Sequence, residues 1–352
     1  MKKRYWIAGA YGLFGAALAV KLWSRPRDLQ WAEHAHHLHH ADCSRFAEVE
    51  GVRVHYQEAG DGEAPPLLLI HGFCASNFVW SDVLLPLAAA GFRVIAPDLI
   101  GFGFSEKPRG GWGYTIEAQA RMIVQLMDEL KIERACLVGS SYGGAVAALC
   151  ALDYAERVER LILVGAVSND DVKRQALLRL AATPVVGDLI SPLVLDSPRL
   201  LRWRMGKVYA HNSENAHLYG EERMEAHHRP LRTANAHRAV LCTLRRWKAG
   251  RILAEAHRIR QPTLLIWGEN DRDIPLSDGA HLLAEIPEAR LIVFRRTGHL
   301  PQEERPPQFT RLVADFCRGT NENKGDDSNV RNRPGSGFTG FRPKGATVSS
   351  RG

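Results

Sequence analysis

Leu137-Val138-Gly139-Ser140-Ser141-Tyr142-Gly143-Gly144, continued by Ala145-Val146-Ala147-Ala148-Leu149-Cys150, reads as a buried strand, a glycine-bracketed turn and an Ala-rich helix. The turn spells G-x-S-x-G with Ser141 at its centre, the pattern of a nucleophile elbow. A serine on such a turn is strained, so its neighbours must be small. Gly139 and Gly143 let the backbone bend, and Gly144 lets the helix lie against the sheet. The hydroxyl is pushed into a cleft above a helix N-terminus, whose free N–H groups suit the oxyanion formed when a serine attacks a carbonyl. Glycines and serines also make ordinary turns, so the surroundings of this pentapeptide must decide.

Outward from it, strand and helix alternate. Upstream, Phe46 to Tyr56 alternates apolar and polar residues around Gly51 and predicts a hairpin at a sheet edge. Leu67-Leu68-Leu69-Ile70 is a continuous apolar run, as expected of a strand buried on both faces, and ends in His71-Gly72-Phe73. A helix from Trp80 to Ala90, a strand from Phe92 to Asp98, a glycine loop and an amphipathic helix from Thr115 to Leu130 lead to the elbow. Downstream, Leu161 to Val164 is a further buried strand. The alternation then lapses over residues 168–248, which are rich in Arg, His, Leu and Ala at helical spacing and predict an inserted helical cap. It resumes with a strand from Pro262 to Gly268, a helix from Ser277 to Ile286, a strand from Arg290 to Phe294 and a last helix from Pro306 to Cys317. Repeated strand-then-helix units predict an α/β fold with a mostly parallel sheet covered on both faces.

The chain has 352 residues and 45% hydrophobic content, enough for one large domain with additions. Its formal charge of +7 is spread among interleaved acids rather than clustered, which argues against nucleic acid as a partner. The six cysteines include no C-x-x-C pair, so neither a zinc site nor a dense disulfide framework is indicated. Met1-Lys2-Lys3-Arg4 followed by an uncharged apolar run from Tyr5 to Val20 predicts, over residues 1–23, a membrane anchor, with a cleaved signal peptide as the alternative. Basic residues flank both ends and leave its orientation open. Residues 24–45, with His34, His36, His37, His39 and His40, read as a solvated polar linker, since the spacing matches no metal site. Residues 46–317 form the main domain. Residues 318–352 are Gly-, Asn-, Arg- and Ser-rich with almost no aliphatics, the composition of a disordered tail.

Four separated features now fall in one order: His71-Gly72-Phe73 after a buried strand, Asp98-Leu99-Ile100-Gly101-Phe102-Gly103-Phe104-Ser105, the elbow, and Trp267 to Pro275 paired with Gly298-His299. Over roughly Phe46 to Cys317 the chain resembles the α/β-hydrolases, and the features resemble that family's oxyanion loop, D-x-x-G-x-G-x-S turn, nucleophile and acid and base loops. The resemblance implies a Ser, then acid, then His order, met by Ser141, Asp271 and His299. A serine hydroxyl is a poor nucleophile at neutral pH, so a histidine must accept its proton and an acid must orient that histidine and stabilise its cation. Asp273 and Glu269 compete with Asp271, and the family's spacing of four residues before the loop proline selects Asp271. The oxyanion donors implied are the backbone N–H groups of Tyr142 and Phe73. His71 reads as structural and Asp98 as a turn-stabilising side chain. Gly101-Phe102-Gly103 begins like a dinucleotide fingerprint, but the sixth position is Glu106, and no cofactor is expected.

The function expected is a serine hydrolase cleaving carboxylic esters of small apolar substrates through an acyl-enzyme, with the cap as a lid that selects them. Position 141 excludes the chemistry of relatives with a nucleophilic aspartate. The alternatives are a C–C bond hydrolase of ring-cleavage products, a cofactor-free haloperoxidase-like enzyme and a non-catalytic binding protein on the same scaffold.

Overall fold

The computed structural model describes Gly15, Trp31 and residues 35–110, 112–171 and 176–320. Eight strands form one sheet: β1 (Ser44–Val49), β2 (Val52–Ala59), β3 (Pro66–Ile70), β4 (Arg93–Pro97), β5 (Ala135–Ser140), β6 (Val158–Val164), β7 (Thr263–Gly268) and β8 (Ala289–Phe294). Their order is β1-β2-β4-β3-β5-β6-β7-β8. The first hairpin is antiparallel and joins the sheet through an antiparallel β2–β4 pairing, while every later pairing is parallel. This is the α/β-hydrolase fold that the sequence leads one to expect. The apolar runs are explained by their place: β5 and β7 are buried along their whole length because helices cover both faces.

One face carries α1 (Ser81–Ala89) and, at the end of the chain, α12 (Pro306–Arg318), which supply Val83, Leu84, Leu87, Phe309, Val313 and Phe316 to its core. The other face carries α2 (Ile116–Glu129), α3 (Tyr142–Asp153) and, beyond β7, α10 (Leu276–Glu285). Thr115 caps α2 by accepting the Ala118 N–H at 3.1 Å, and α3 is apolar all round because it is the central buried helix. Each fully buried Leu or Ile of these layers contributes roughly 1.5–3 kcal/mol.

Between β6 and β7 the described regular structure is all helical: α4 (Ala176–Ala182), α5 (Val186–Leu195), α6 (Pro198–Val208), α7 (Glu221–His228), α8 (Ala236–Arg246) and α9 (Gly250–Glu255). The α4, α5 and α8 helices pack together. The α6–α7 part has its own small core, Met205, Val208, Tyr209, Leu218 and Met224, and that core includes Leu300, the neighbour of His299. A short α11 (Pro301–Glu304) follows directly.

Two expectations for the first 45 residues change. No helix among the described residues is long and apolar enough to cross a membrane, so the anchored location is not supported. The segment expected to span, residues 1–23, lies outside the described residues apart from Gly15. The end of the histidine-rich linker makes specific contacts with the domain while His37 and His39 stay exposed. The His40 imidazole bonds the Ser81 carbonyl at 2.8 Å, the carbonyls of His39 and His40 accept from Gln57 Nε2, and the His39 ring lies 5.1 Å from that of Phe78. The expected tail beyond Thr320 is outside the described residues.

Candidate active site

Ser141 leaves β5 with φ 55° and ψ −118°, a conformation that a non-glycine residue holds only when its surroundings impose it. Here they do. Its N–H donates to the Val164 carbonyl at the end of β6, at 2.8 Å, while its own carbonyl accepts from Gly144 at 3.0 Å and from Val167 at 3.0 Å. The turn also needs its glycines: a Cβ on Gly139 would overlap the Gly143 carbonyl, and one on Gly144 would overlap Ala166. Tyr142 opens α3, so its N–H is one of the donors that a helix leaves unbonded at its start. Phe73 follows Gly72, whose position faces the serine closely enough that an added Cβ would lie 3.1 Å from Ser141 Cβ.

Asp271 and His299 sit beyond the carboxyl ends of β7 and β8, and the fold brings them together. His299 Nδ1 donates to Asp271 Oδ2 at 2.7 Å, with the two side chains 7% and 0% exposed. That bond fixes the tautomer and leaves Nε2 to accept a proton. Asp271 Oδ1 meanwhile accepts the backbone N–H groups of Asp273 and Ile274, both at 2.9 Å, so the carboxylate is held at both oxygens. Gly165, which follows Val164, lies against the pair: a Cβ there would be 3.0 Å from Asp271 Oδ2 and 3.1 Å from His299 Nδ1. The serine elbow and the His–Asp pair therefore flank the same strand end, where ligands gather in open parallel sheets. Burial on its own depresses the His299 imidazole, but the Asp271 carboxylate outweighs it, with Asp273 adding to the effect and Arg204 opposing it, and the net direction is upward.

The competing carboxylates have other partners. Asp273 pairs with Arg204, and Glu269 accepts the Arg296 N–H at 3.2 Å. His71 Nε2 accepts the Leu99 N–H at 3.0 Å, so its Nδ1 donates to the Gly72 carbonyl at 2.8 Å. Both nitrogens are in use, and burial lowers its proton affinity further. Asp98 is fully buried and accepts from Asn77 N at 2.7 Å, Phe104 N at 2.8 Å and His55 Nδ1 at 2.7 Å. It thereby closes the turn whose Gly103, at φ 54°, has the Asp98 carboxylate where a Cβ would go. Among the described residues no group of three or more His, Cys, Asp or Glu is placed to hold a metal ion.

Two residues that the sequence reading passed over tie the loop of His299 to the helices inserted between β6 and β7. Buried Glu304 accepts Gly298 N at 2.8 Å, Ala210 N at 3.0 Å and Asn215 Nδ2 at 2.5 Å. Fully buried Glu303 accepts from Tyr209 Oη at 2.8 Å and from Arg223 Nε and Nη2 at 3.0 and 2.7 Å, with His227 Nε2 3.3 Å away. Burial alone would raise the Glu303 carboxyl, but His227 and Arg223 bring it down to about 2. The Val208 carbonyl, at the end of α6, completes the tie by accepting the His299 N–H at 2.8 Å. The available signal was a pair of consecutive acids separated from the apolar Leu300-Pro301 step by Gln302 alone.

The chain is similar to several known proteins. The chain is 30% identical over 274 residues to the uncharacterised hydrolase YugF of Bacillus subtilis strain 168, covering 77% of this chain and 96% of that one. It is 33% identical over 297 residues to the 2-hydroxy-6-oxo-6-phenylhexa-2,4-dienoate hydrolase of Comamonas testosteroni, covering 79% and 97%. Its fold matches a structure of the meta-cleavage product hydrolase CumD from Pseudomonas fluorescens IP01 with a TM-score of 0.65 at 27% identity, over 79% of this chain and 98% of that one. The model of the alpha/beta hydrolase family matches residues 67–312, and with the elbow and the buried His–Asp pair at its strand ends the chain belongs to that family.

Proposed function

We propose that the protein is a serine hydrolase that cleaves a carbon–carbon bond beside a ketone in a small 2-hydroxy-6-oxo-dienoate-type acid. The observation that carries this reading is the buried His299–Asp271 bond of 2.7 Å, which leaves Nε2 free to accept a proton beside the strand end that holds Ser141. The 33% identity to a named dienoate hydrolase over nearly its whole length supports the substrate class. In the proposed reaction His299 Nε2 takes the Ser141 proton as Oγ adds to the carbonyl. The oxyanion is met by the N–H groups of Tyr142 and Phe73. His299 then returns the proton to the departing carbon as the C–C bond breaks, and a water, deprotonated by His299, releases the acid from Ser141. The helices of residues 168–248 are proposed to select the substrate.

Ester hydrolysis by the same groups is the second reading. It is favoured by the state of Arg204, whose charge beside His299 is already matched by Asp273, a setting that suits a substrate without a carboxylate. Comparing kcat/KM for a dienoate ring-fission product with that for nitrophenyl esters tests the two, and a higher value for the esters replaces the first reading with the second. Fluorophosphonate labelling at Ser141 and loss of at least ~10³-fold activity in Ser141→Ala are expected. Full activity in a folded Ser141→Ala protein overturns both.

A further inference from the structure

Asp273 stands two residues beyond Asp271 and has a different partner. It accepts both arms of the Arg204 guanidinium, Nη1 on Oδ1 at 3.0 Å and Nη2 on Oδ2 at 2.5 Å. Arg204 comes from α6, the same helix whose last residue, Val208, holds the His299 N–H. Asp273 is tied to the carboxylate bonded to His299, its N–H donating to Asp271 Oδ1 at 2.9 Å, and both carboxylates act on the imidazole by charge. Asp271 is bonded to it; Asp273 is not, and is matched by a cation from a distant part of the chain. The charged groups acting on His299 are Asp271 and Asp273 from the loop after β7 and Arg204 from α6. Lys207, also on α6, acts on Asp273 while its ammonium lies 3.9 Å from the centre of the Trp203 ring.

We propose that Arg204 is a positioning residue for the reaction: its two-armed ion pair holds and neutralises Asp273, leaving Asp271 as the one effective carboxylate at His299 and making the charge balance of the base depend on α6 being docked. An unmatched Asp273 would stabilise the imidazolium, and a base that stays protonated cannot accept the serine proton. The Asp273 side chain is 16% exposed and that of Arg204 47%, so solvent screens the pair and its influence is modest, worth about a two- to fivefold change in the protonated fraction. The inference rests on the reading of His299 as the base.

The test is the protonation midpoint of His299 in the full chain, followed by NMR on ¹³C-labelled histidine with the signal identified through His299→Gln, alongside the acid limb of kcat/KM. Arg204→Gln, which leaves Asp273 unmatched, is expected to move both to higher pH, with activity below the midpoint reduced about two- to fivefold. Asp273→Asn, which leaves the cation unmatched, moves both to lower pH. The double variant, again balanced, returns them towards the wild-type position, and Arg204→Lys, which keeps the charge, stays there. A residue of merely structural importance would not give opposite singles that cancel. Singles that move the midpoint the same way, a single that leaves it unmoved, or a double that does not return overturns the proposal. Should Arg204→Gln fail to fold, Asp273→Asn and Arg204→Lys carry the same test. The NMR midpoint is read without turnover, so failure of the serine reading, seen as full activity in Ser141→Ala, is told apart from failure of this one.

Discussion

Replacing Glu304 is expected to damage stability and activity together, because one buried carboxylate serves three donors. Its Oε1 accepts from Gly298 N, on the loop that carries His299, while Oε2 accepts from Ala210 N and Asn215 Nδ2 on the segment after α6. Removing one partner of a buried polar group costs ~1–3 kcal/mol for each donor left unmet, and three donors sharing one acceptor do not add fully. Glu304→Ala should therefore lower the free energy of unfolding by ~3–5 kcal/mol. Glu304→Gln keeps the shape but turns an amide NH₂ towards an N–H, and should cost ~1–3 kcal/mol. Displacing the base loop by even ~1 Å costs on the order of 100-fold in rate, so kcat should fall in both variants. Urea unfolding monitored by circular dichroism gives the first quantity and steady-state kinetics the second. A Glu304→Ala protein within ~1 kcal/mol of wild type with unchanged kcat would refute the clamp, since the predicted penalty is several times larger.

Three further outcomes are expected. Asp271→Asn should lower kcat by ~10³–10⁴-fold, because an amide favours the wrong imidazole tautomer, whereas Asp273→Asn should stay within ~10-fold of wild type; the reverse ranking at equal stability moves the acid to Asp273. Glu303 is held well below its unfolded value of 4.5, at about 2, so it contributes stability above about 4.5 that is lost as pH falls through that window. The loss is ~3 kcal/mol at ~1.4 kcal/mol per unit, and a Glu303→Gln protein whose unfolding free energy falls just as steeply there would exclude Glu303 as the source. Gly103→Ala should cost ~2–4 kcal/mol, because its Cβ would meet the Asp98 carboxylate at a positive φ, and a thermal midpoint equal to wild type would contradict that crowding.

How far the sequence disclosed this protein depended on the range of each interaction. Strands such as Leu67–Ile70 and Thr263–Gly268 announce themselves because burial on both faces demands an unbroken apolar run. The Ser141 turn is legible because its glycines are local steric necessities. The link from Asp271 to His299 was reachable through the family's order, although 28 residues separate the two. The roles of Glu303 and Glu304 were not legible: apart from Gly298, six residues away, their partners lie 76 to 94 residues upstream, and two adjacent acids do not disclose that they are buried or what satisfies them at that distance. The Arg204–Asp273 pair spans 69 residues and was hidden for the same reason. The polar composition of the linker pointed to solvent, yet His39 and His40 dock, because composition says nothing about which surface lies alongside. At the N-terminus, an uncharged apolar run suggested an anchor, whereas no helix among the described residues is long and apolar enough to cross a membrane.

The inserted helices are fastened to the rest of the fold at several points, among them the Arg204–Asp273 and Arg223–Asp82 ion pairs. Beyond α6 they are fastened to the loop of His299, and where the insertion begins and ends Asp170 accepts the Ala249 N–H at 2.9 Å and the Ser168 carbonyl accepts that of Leu253 at 3.1 Å. The stretch between carries the exposed Leu180, Val185, Leu189 and Leu200. If the insertion selects the substrate as proposed, changes at these exposed positions would alter which molecules are admitted while the fastened segments hold the His299 loop in register.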